Sequence, residues 1–371
     1  MLVLDSGDLF FEKEIPETLR ASAKLKAEAV ARIYRTIGCD AVNVGERDLL
    51  LGVTALKELE KKFGTPFISA NLTDTKNTPL FKQYVIKQIA GKTIGIFGLT
   101  GDTEEMTSII GKITQGSVVV QDSIKAAESV MKELAGKVDL VIALTHQGVG
   151  RDWVLARRVG GIDLIIGGRD GQKIREPRKA GTTQIVQAGE KGQYLGLLEV
   201  SFGPDKTKAV RNSLIPLGNQ LADDDEVTSM ILDYQKQMAA LYVPAGESPA
   251  SPASTSCSPC HEKEFSSWQA TGHARAYESL VNRNRQFDPE CLACHTTRFE
   301  EPDGFSMKLQ QKGLLGVQCE SCHGNASEHV RASTAVTHQK PGKEVCTTCH
   351  TPDRSPTFEK GYEVYFRKAK H

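Results

Sequence analysis

Two hydrophobic patterns alternate from the start of the chain to about residue 220: short unbroken apolar runs, and longer segments with apolar residues three and four apart. The runs at 2–4, 41–44, 66–70, 93–99, 139–144 and 162–166 predict strands, the last two buried. Residues 83–89 alternate apolar and polar, as a half-buried strand does, and Gly91-Lys92 turns into the next run. Residues 17–37 predict a helix, with Pro16 near its start and Ala23, Ala27, Val30, Ile33 and Ile37 on one face. Further helices are predicted at 54–63, 123–134 and 152–159, the last with Asp152 as its N-cap. Beyond Gly181 only strand patterns follow, at 184–187, 195–202 and 209–214. Residues 1–220 therefore read as an α/β layered sandwich with strands added at its end.

The pattern then changes. Asp223-Asp224-Asp225 precedes a helical stripe of Val227, Met230, Ile231, Tyr234, Met238 and Leu241, so residues 221–243 predict a helix that docks on the first domain. Residues 244–256 are rich in Pro, Ser and Ala and read as a linker. Residues 257–371 show few periodic apolar runs and read as a mostly α or irregular domain with no large aliphatic core.

This last stretch carries Cys-x-x-Cys-His four times: Cys257, Cys260 and His261; Cys291, Cys294 and His295; Cys319, Cys322 and His323; Cys346, Cys349 and His350. The spacing is the attachment signal for c-type haem. Two thiols add across the vinyl groups of the porphyrin, and the adjacent imidazole ligates the iron. One copy would also suit a zinc or redox site. Four copies, using eight of the nine cysteines, point to four covalently attached haem c groups that would make up much of the core themselves. The ninth cysteine, Cys39, precedes an apolar strand and reads as a small buried hydrophobe.

Charge is balanced at 46 basic against 46 acidic residues, which argues against a nucleic-acid partner. No apolar run approaches a membrane span. Haem c is attached outside the cytoplasmic membrane, yet the chain opens MLVLDSGDLF, a strand and a loop rather than an export signal. The expectation is a periplasmic or extracellular protein whose N-terminus is incomplete here.

Each haem iron has two axial positions. Of the nine histidines, four belong to the motifs and His146 lies in the first domain. His273, His329, His338 and the terminal His371 remain as distal ligands. Met307 reads as packing, so bis-histidine, low-potential haem is expected. Arg275, Arg283, Arg285, Arg298 and Arg331 lie among the motifs as partners for haem propionates.

Two resemblances add to this. The stretches Trp268–Ala274, Phe287–Thr297 and Gly316–Gly324, followed by His329-Val330, resemble the tetrahaem cytochrome c-554 family over residues 256–358. That family carries electrons through closely packed haems, three of them bis-histidine and the second in sequence five-coordinate. By position, the resemblance makes His273 and His329 the leading distal ligands and His338 the next. It makes the haem of Cys291, Cys294 and His295 the open one.

Residues 1–215 resemble calcineurin-like metallophosphoesterases of the 5′-nucleotidase and UDP-sugar hydrolase branch, which clamp phosphate between two metal ions. Asp8, after Gly7, matches the metal-bridging Gly-Asp loop, and His146 matches the lone histidine. Val44-Gly45-Glu46-Arg47-Asp48 stands where Gly-Asn-His-Glu is expected, so Glu46 replaces the asparagine and Arg47 the catalytic histidine. Gly168-Arg169-Asp170-Gly171 stands for Gly-His-x-His, and the Asp-x-His loop is missing. The resemblance thus implies a vestigial site of Asp8, Glu46 and His146. Arg47 and Arg169 are expected to supply the positive charge of the lost metals.

The combined expectation is a multihaem electron carrier with a phosphoesterase-like scaffold, not an enzyme. Its partners would be redox proteins, a second copy of itself or a membrane redox complex. The alternatives are a bifunctional metal-dependent phosphatase or 5′-nucleotidase, and redox catalysis at one five-coordinate haem.

Overall fold

The computed structural model describes the chain except residues 12–13, 204–207, 219, 243–252, 333–340, 353 and 370–371. Most of the expected linker and both His338 and His371 therefore lie outside the described residues. The chain forms two compact units, Met1–Met230 and Ile231–His371.

The first unit contains strands β1 (Leu4–Asp5), β2 (Ala41–Asn43), β3 (Phe67–Ile68), β4 (Leu72–Thr73), β5 (Tyr84–Ile89), β6 (Lys92–Thr100), β7 (Val119–Val120), β8 (Leu140–His146), β9 (Leu164–Gly167), β10 (Lys173–Ala180), β11 (Thr183–Ala188), β12 (Tyr194–Phe202) and β13 (Lys208–Pro216). Its helices are α1 (Arg20–Thr36), α2 (Val53–Phe63), α3 (Glu104–Ile113), α4 (Ser123–Leu134) and α5 (Val149–Arg158). A six-stranded sheet runs β10-β11-β9-β8-β6-β5, with the inner four strands parallel and both edges antiparallel. A parallel three-stranded sheet runs β1-β2-β3.

The period-two alternation of β6 and β8 explains the layering. Ile94, Ile96, Leu140, Ile142 and Leu144 point one way and pack with Ala41 and Ile68 of the small sheet. Phe97, Leu99, Val141 and Ala143 point the other way, under Ala127 and Val130 of α4 and Leu155 of α5. A third cluster joins Ala27 and Ala31 of α1 and Leu56 and Leu59 of α2 to Val42 and Phe67. The result is a helix–sheet–sheet–helix sandwich, as the alternating pattern implies. Because both faces of β8 are covered, all seven of its residues are buried, which is why it reads as an unbroken apolar run.

Three elements depart from expectation. Asp152 is not an N-cap: α5 starts at Val149, after Gly148 in the left-handed region (φ 82°), and the Val149 N–H donates to Asp170 Oδ2 across 2.9 Å. Asp152 instead lies inside the helix, fully buried. β10 escapes the sequence pattern because it is a mostly polar edge strand, with a register break between Ile174 and Arg178 around Pro177. α3 escapes it because the segment is short and interrupted by Gly111; Thr103 caps it by accepting from Met106 N. Cys39 is half-buried rather than buried, its thiol directed at the Val3 and Ala41 carbonyls.

Helix α6 (Asp225–Leu241) starts where the aspartate triplet implies, with Asp224 Oδ1 accepting from Val227 N at 2.9 Å. The boundary between the units falls within it. Met230, buried, meets Thr36 Oγ1 in the first unit; Met238 and Tyr242 are buried in the second.

The second unit is built of short helices: α7 (Glu262–Gln269), α8 (Ala276–Val281), α9 (Pro289–His295), α10 (Glu320–His323), α11 (Ser327–Ala332), α12 (Lys343–Thr347) and α13 (Tyr362–Ala369). Its buried apolar side chains are few among the described residues: besides Met238 and Tyr242, they are Leu280, Leu292, Phe305, Met307, Leu314 and Phe358. No helix among the described residues is long and apolar enough to cross a membrane.

Leu144 is fully buried between the two sheets. Leu144→Ala is expected to cost about 2–5 kcal/mol of stability, read as a lowered urea midpoint by circular dichroism.

Candidate functional site

In an open parallel sheet, loops at the carboxyl ends of the strands converge on one crevice. Asp8 follows β1, Glu46 and Arg47 follow β2, His146 ends β8 and Arg169 follows β9. All five expected residues meet there. His146 Nε2 lies 3.2 Å from both Asp8 Oδ2 and Glu46 Oε2, at ion-pair distance but outside hydrogen-bond geometry. Arg169 Nε stands 3.6 Å from Glu46 Oε1, and Arg47 Nε 3.7 Å from Asp8 Oδ2. The Arg47 backbone N–H donates to Asp8 Oδ1 at 2.8 Å. The other ring nitrogen, His146 Nδ1, faces the Ser6 carbonyl at 3.2 Å.

The loops approach closely enough to require glycine at two points. Gly7 has φ 105°, and a Cβ there would stand 2.8 Å from Gly45 N. A Cβ at Gly45 would strike the Asp8 carboxylate. Asp8 and Arg169 themselves adopt left-handed backbone (φ 57° and 86°), a strain that persists only where surrounding contacts enforce it.

One residue central to this geometry is quoted in the sequence motif but given no role there. Asp48 is fully buried; Oδ2 accepts from Asp8 N and Gly45 N, each at 2.9 Å, and Oδ1 from Leu9 N at 2.8 Å. It ties the β1 loop to the β2 loop. Burial, and secondarily the charge of Asp8, push its carboxyl up to about 7. Asp5 plays a similar part nearer β1, accepting from Gly7 N and from the Tyr34 hydroxyl at 2.7 Å. Burial opposes a charge on His146, but Asp8 and Glu46 outweigh it and raise the imidazole to about 10. Burial likewise opposes ionisation of Glu46, yet His146 and Arg169 hold that carboxyl below its usual range. Asp8 and Glu46 thus favour the protonated form of His146.

Ligand atoms of Asp8, Glu46 and His146 lie within 4.8 Å of one another, close enough to share one metal ion. They do not make the two-metal clamp of the resembled family. At two further positions of that pattern stand Arg47 and Arg169, whose guanidinium groups cannot ligate a cation.

In the second unit each Cys-x-x-Cys-His sequence forms a helical turn. The Cys257 carbonyl accepts from Cys260 N and His261 N, that of Cys319 from Cys322 N and His323 N, and that of Cys346 from Cys349 N and His350 N. Cys291, Cys294 and His295 lie in α9, which Asp288 caps and Pro289 opens. This places both thiols and the imidazole on one side, as the spacing implies. Motifs that are distant in sequence are neighbours in space. The Cys257 and Cys319 thiols hydrogen-bond, which pushes Cys257 up, and Cys322 lies within electrostatic reach of Cys346 and Cys349.

Two histidine pairs cross between motifs. The rings of His261 and His329 have centroids 6.2 Å apart, and those of His273 and His350 are 6.1 Å apart. His273 is placed by a tight crossing. Its carbonyl accepts from Val317 N at 3.0 Å, and Trp268 Nε1 donates to the Val317 carbonyl at 2.8 Å. Gly316, at φ 83°, allows the crossing, since a Cβ there would stand 2.8 Å from the Ala274 carbonyl. His350 is held by Ser355 Oγ at 3.0 Å from Nδ1 and by the Phe358 ring, stacked at 4.4 Å. Burial lowers His273 and His350, favouring the neutral imidazole that binds metals. His295 directs Nδ1 at the Ala276 carbonyl, 2.7 Å away, and at Ser279 Oγ. No other histidine ring stacks near it among the described residues. Arg285 and Arg298 pair with Asp288 and Glu301, and Arg331 Nε donates to the Ser327 carbonyl.

Comparison with known proteins divides the chain in the same way. Residues 256–324, which include the first three motifs, match the family of cytochrome c554 and c-prime. Cytochrome c-554 of Nitrosomonas europaea is 30% identical over 131 residues, 30% of this chain and 52% of that protein. The trifunctional nucleotide phosphoesterase YfkN of Bacillus subtilis is 28% identical over 280 residues, 64% of this chain and 18% of that protein. The 5′-nucleotidase of Bos taurus is 29% identical over 227 residues, 54% of this chain and 38% of that protein. The chain thus spans about half or less of each relative. Among solved structures, the 5′-nucleotidase precursor of Thermus thermophilus superposes with a TM-score of 0.54 at 24% identity, covering 67% of this chain and 51% of that one, which establishes the shared fold. The chain joins a phosphoesterase-like sandwich to a haem c-binding, cytochrome c-554-like unit.

Behind the crevice, Asp152 accepts from Gln147 Nε2 at 2.9 Å, while its other oxygen has no hydrogen-bond partner. Burial raises its carboxyl to about 6. A carboxyl raised on folding stabilises the fold below its unfolded pKa and loses that contribution as pH rises through the folded value. Between pH 4 and 7 the loss is about 2 kcal/mol. Asp152→Asn cannot ionise, so its stability relative to the parent is expected to rise by that order over this interval, measured by urea unfolding at each pH.

Proposed function

We propose that this chain is an exported electron carrier whose second unit binds four haem c groups, at least two of them between paired histidines. The observation that carries this reading is the spacing of the imidazole pairs. With metal–imidazole bonds of about 2 Å, two rings on opposite sides of one metal have centroids about 6 Å apart. The pairs at 6.2 and 6.1 Å match that gap. His261 with His329 would hold the first haem, and His350 with His273 the fourth. His323 is the proximal ligand of the third, for which His338 is the expected partner. Bound haem iron would alternate between ferric and ferrous states.

The polypeptide's part is to set spacing and orientation. The neighbouring positions of Cys257 and Cys319, and of Cys322, Cys346 and Cys349, support a reading in which the first, third and fourth haems are neighbours. Ser355 and Phe358 fix the rotation of His350, and the Ala276 carbonyl fixes that of His295 and leaves Nε2 for iron. Covalent haem c attachment supports a location outside the cytoplasmic membrane, where the partners would be redox proteins, another copy of itself or a membrane complex. The first unit is then a scaffold, and phosphoesterase activity is not expected.

A second reading concerns His295. Its Nδ1 is anchored, and no described imidazole faces it, so the second haem would be five-coordinate and open to a small ligand.

His329→Ala and His273→Ala are each expected to convert one low-spin ferric haem to high spin, read by EPR, without loss of covalent haem. The parent protein is expected to bind about one equivalent of carbon monoxide when reduced. Unchanged spectra in both variants would remove the pairing, and a parent that binds no carbon monoxide would remove the open haem.

A further inference from the structure

The strand-end crevice of the first unit departs from the two-metal site of its fold in a matched way. Where the resembled family has a neutral asparagine and a neutral histidine, this chain has Glu46 and Arg169, and the two side chains stand 3.6 Å apart. Where the catalytic histidine is expected, Arg47 lies 3.7 Å from Asp8 and also donates its backbone N–H to that carboxylate. Random loss of ligands would leave carboxylates facing each other or facing water. Here the added negative charge meets an added positive one, and Asp8, the carboxylate carried over from the metal-bridging position, meets the other arginine.

Geometry argues the same way. Arg169 keeps a left-handed backbone at φ 86°, a conformation costly for any residue with a Cβ and maintained only by strong local contacts. Its guanidinium reaches Glu46 with Nε and Glu105 with Nη2, at 3.5 Å from the latter. The side chain of Glu46 is almost completely buried, so the carboxylate has little access to water and depends on its cationic neighbours. A divalent ion between Asp8, Glu46 and His146 would sit beside two guanidinium groups and be repelled by both.

We propose that this crevice is a metal-independent ionic lock: Glu46–Arg169 and Asp8–Arg47 hold the β1, β2 and β9 loops together in place of the two metal ions of the fold. The chain keeps the architecture of a hydrolase site while giving up its capacity for metal.

The test uses the haem-loaded full chain. Manganese and zinc are measured after incubation with each ion and desalting, and thermal unfolding of the first unit is followed with and without chelator or Mn²⁺. The expected result is no retained manganese or zinc and a melting temperature that neither treatment moves. A retained equivalent of either metal, or a midpoint raised by Mn²⁺ and lowered by chelator, overturns the lock. A double-mutant cycle supplies the second arm. Glu46→Gln and Arg169→Gln are each expected to lower the midpoint by about 5 °C. The double variant, which leaves no unpaired charge, is expected to recover part of that loss. Additive losses would mean that the pair does not act as a unit, and overturn the proposal even if both single variants fold poorly. As a gain-of-function arm, Glu46→Asn with Arg47→His and Arg169→His restores the family's residue types at these three positions. It is expected to retain Mn²⁺ that the parent releases.

Discussion

On this account, two imidazoles held about 6 Å apart, each supplied by a different segment of chain, are the constraint on which the second unit depends. Among its described residues that unit has few buried apolar side chains and no helix beyond two or three turns after α6, so the hydrophobic effect alone is a weak organiser there. The pairs His261–His329 and His273–His350 each tie a motif to a distant segment, one forward and one backward along the sequence. Local contacts serve the same end. Gly316 permits a close crossing beneath His273, Trp268 anchors Val317, and Ser254 accepts from Cys319 N and donates to its thiol. In this way short local turns acquire a fixed arrangement without an aliphatic core.

The first unit is organised by the opposite physics. Its strands are buried on both faces, its layers follow from alternation along β6 and β8, and its loops converge on one crevice because the central strands are parallel. What fills the crevice is charge: carboxyls at Asp5 and Asp8, half-buried, and at Glu46 and Asp48, buried, balanced by His146, Arg47 and Arg169. Such a cluster is expensive to assemble and strongly destabilised by the loss of one partner. The fold can keep it only because Asp48 and Asp5 also receive backbone N–H groups from the loops they join.

Much of this was legible in the sequence, for reasons that differ between units. The sandwich was readable because β8 and β9 are covered on both faces and leave unbroken apolar runs. β10 was not, because an edge strand with Pro177 and mostly exposed side chains carries no such pattern. Asp152 misled because an acidic residue ahead of an apolar run looks like a cap; the real start of α5 depends on Asp170, a tertiary partner that no local pattern reports. Asp8, Glu46, His146, Arg47 and Arg169 were identifiable by their places in motif-like loops. Asp48 was not assigned a role, since acceptance of three backbone N–H groups from two loops appears only when the loops are folded together. The haem motifs were plain from spacing alone, whereas the pairing of His261 with His329 and of His273 with His350 needed the three-dimensional arrangement.

The central claim is that the second unit is a four-haem unit rather than a set of thiolate zinc or dithiol sites. Intact-protein mass spectrometry of the exported protein under denaturing conditions, which strip zinc but leave thioether-linked haem, tests it most directly. The account predicts a single species carrying four covalent haem groups. Fewer haems per chain, or a polypeptide mass with free thiols, would contradict it.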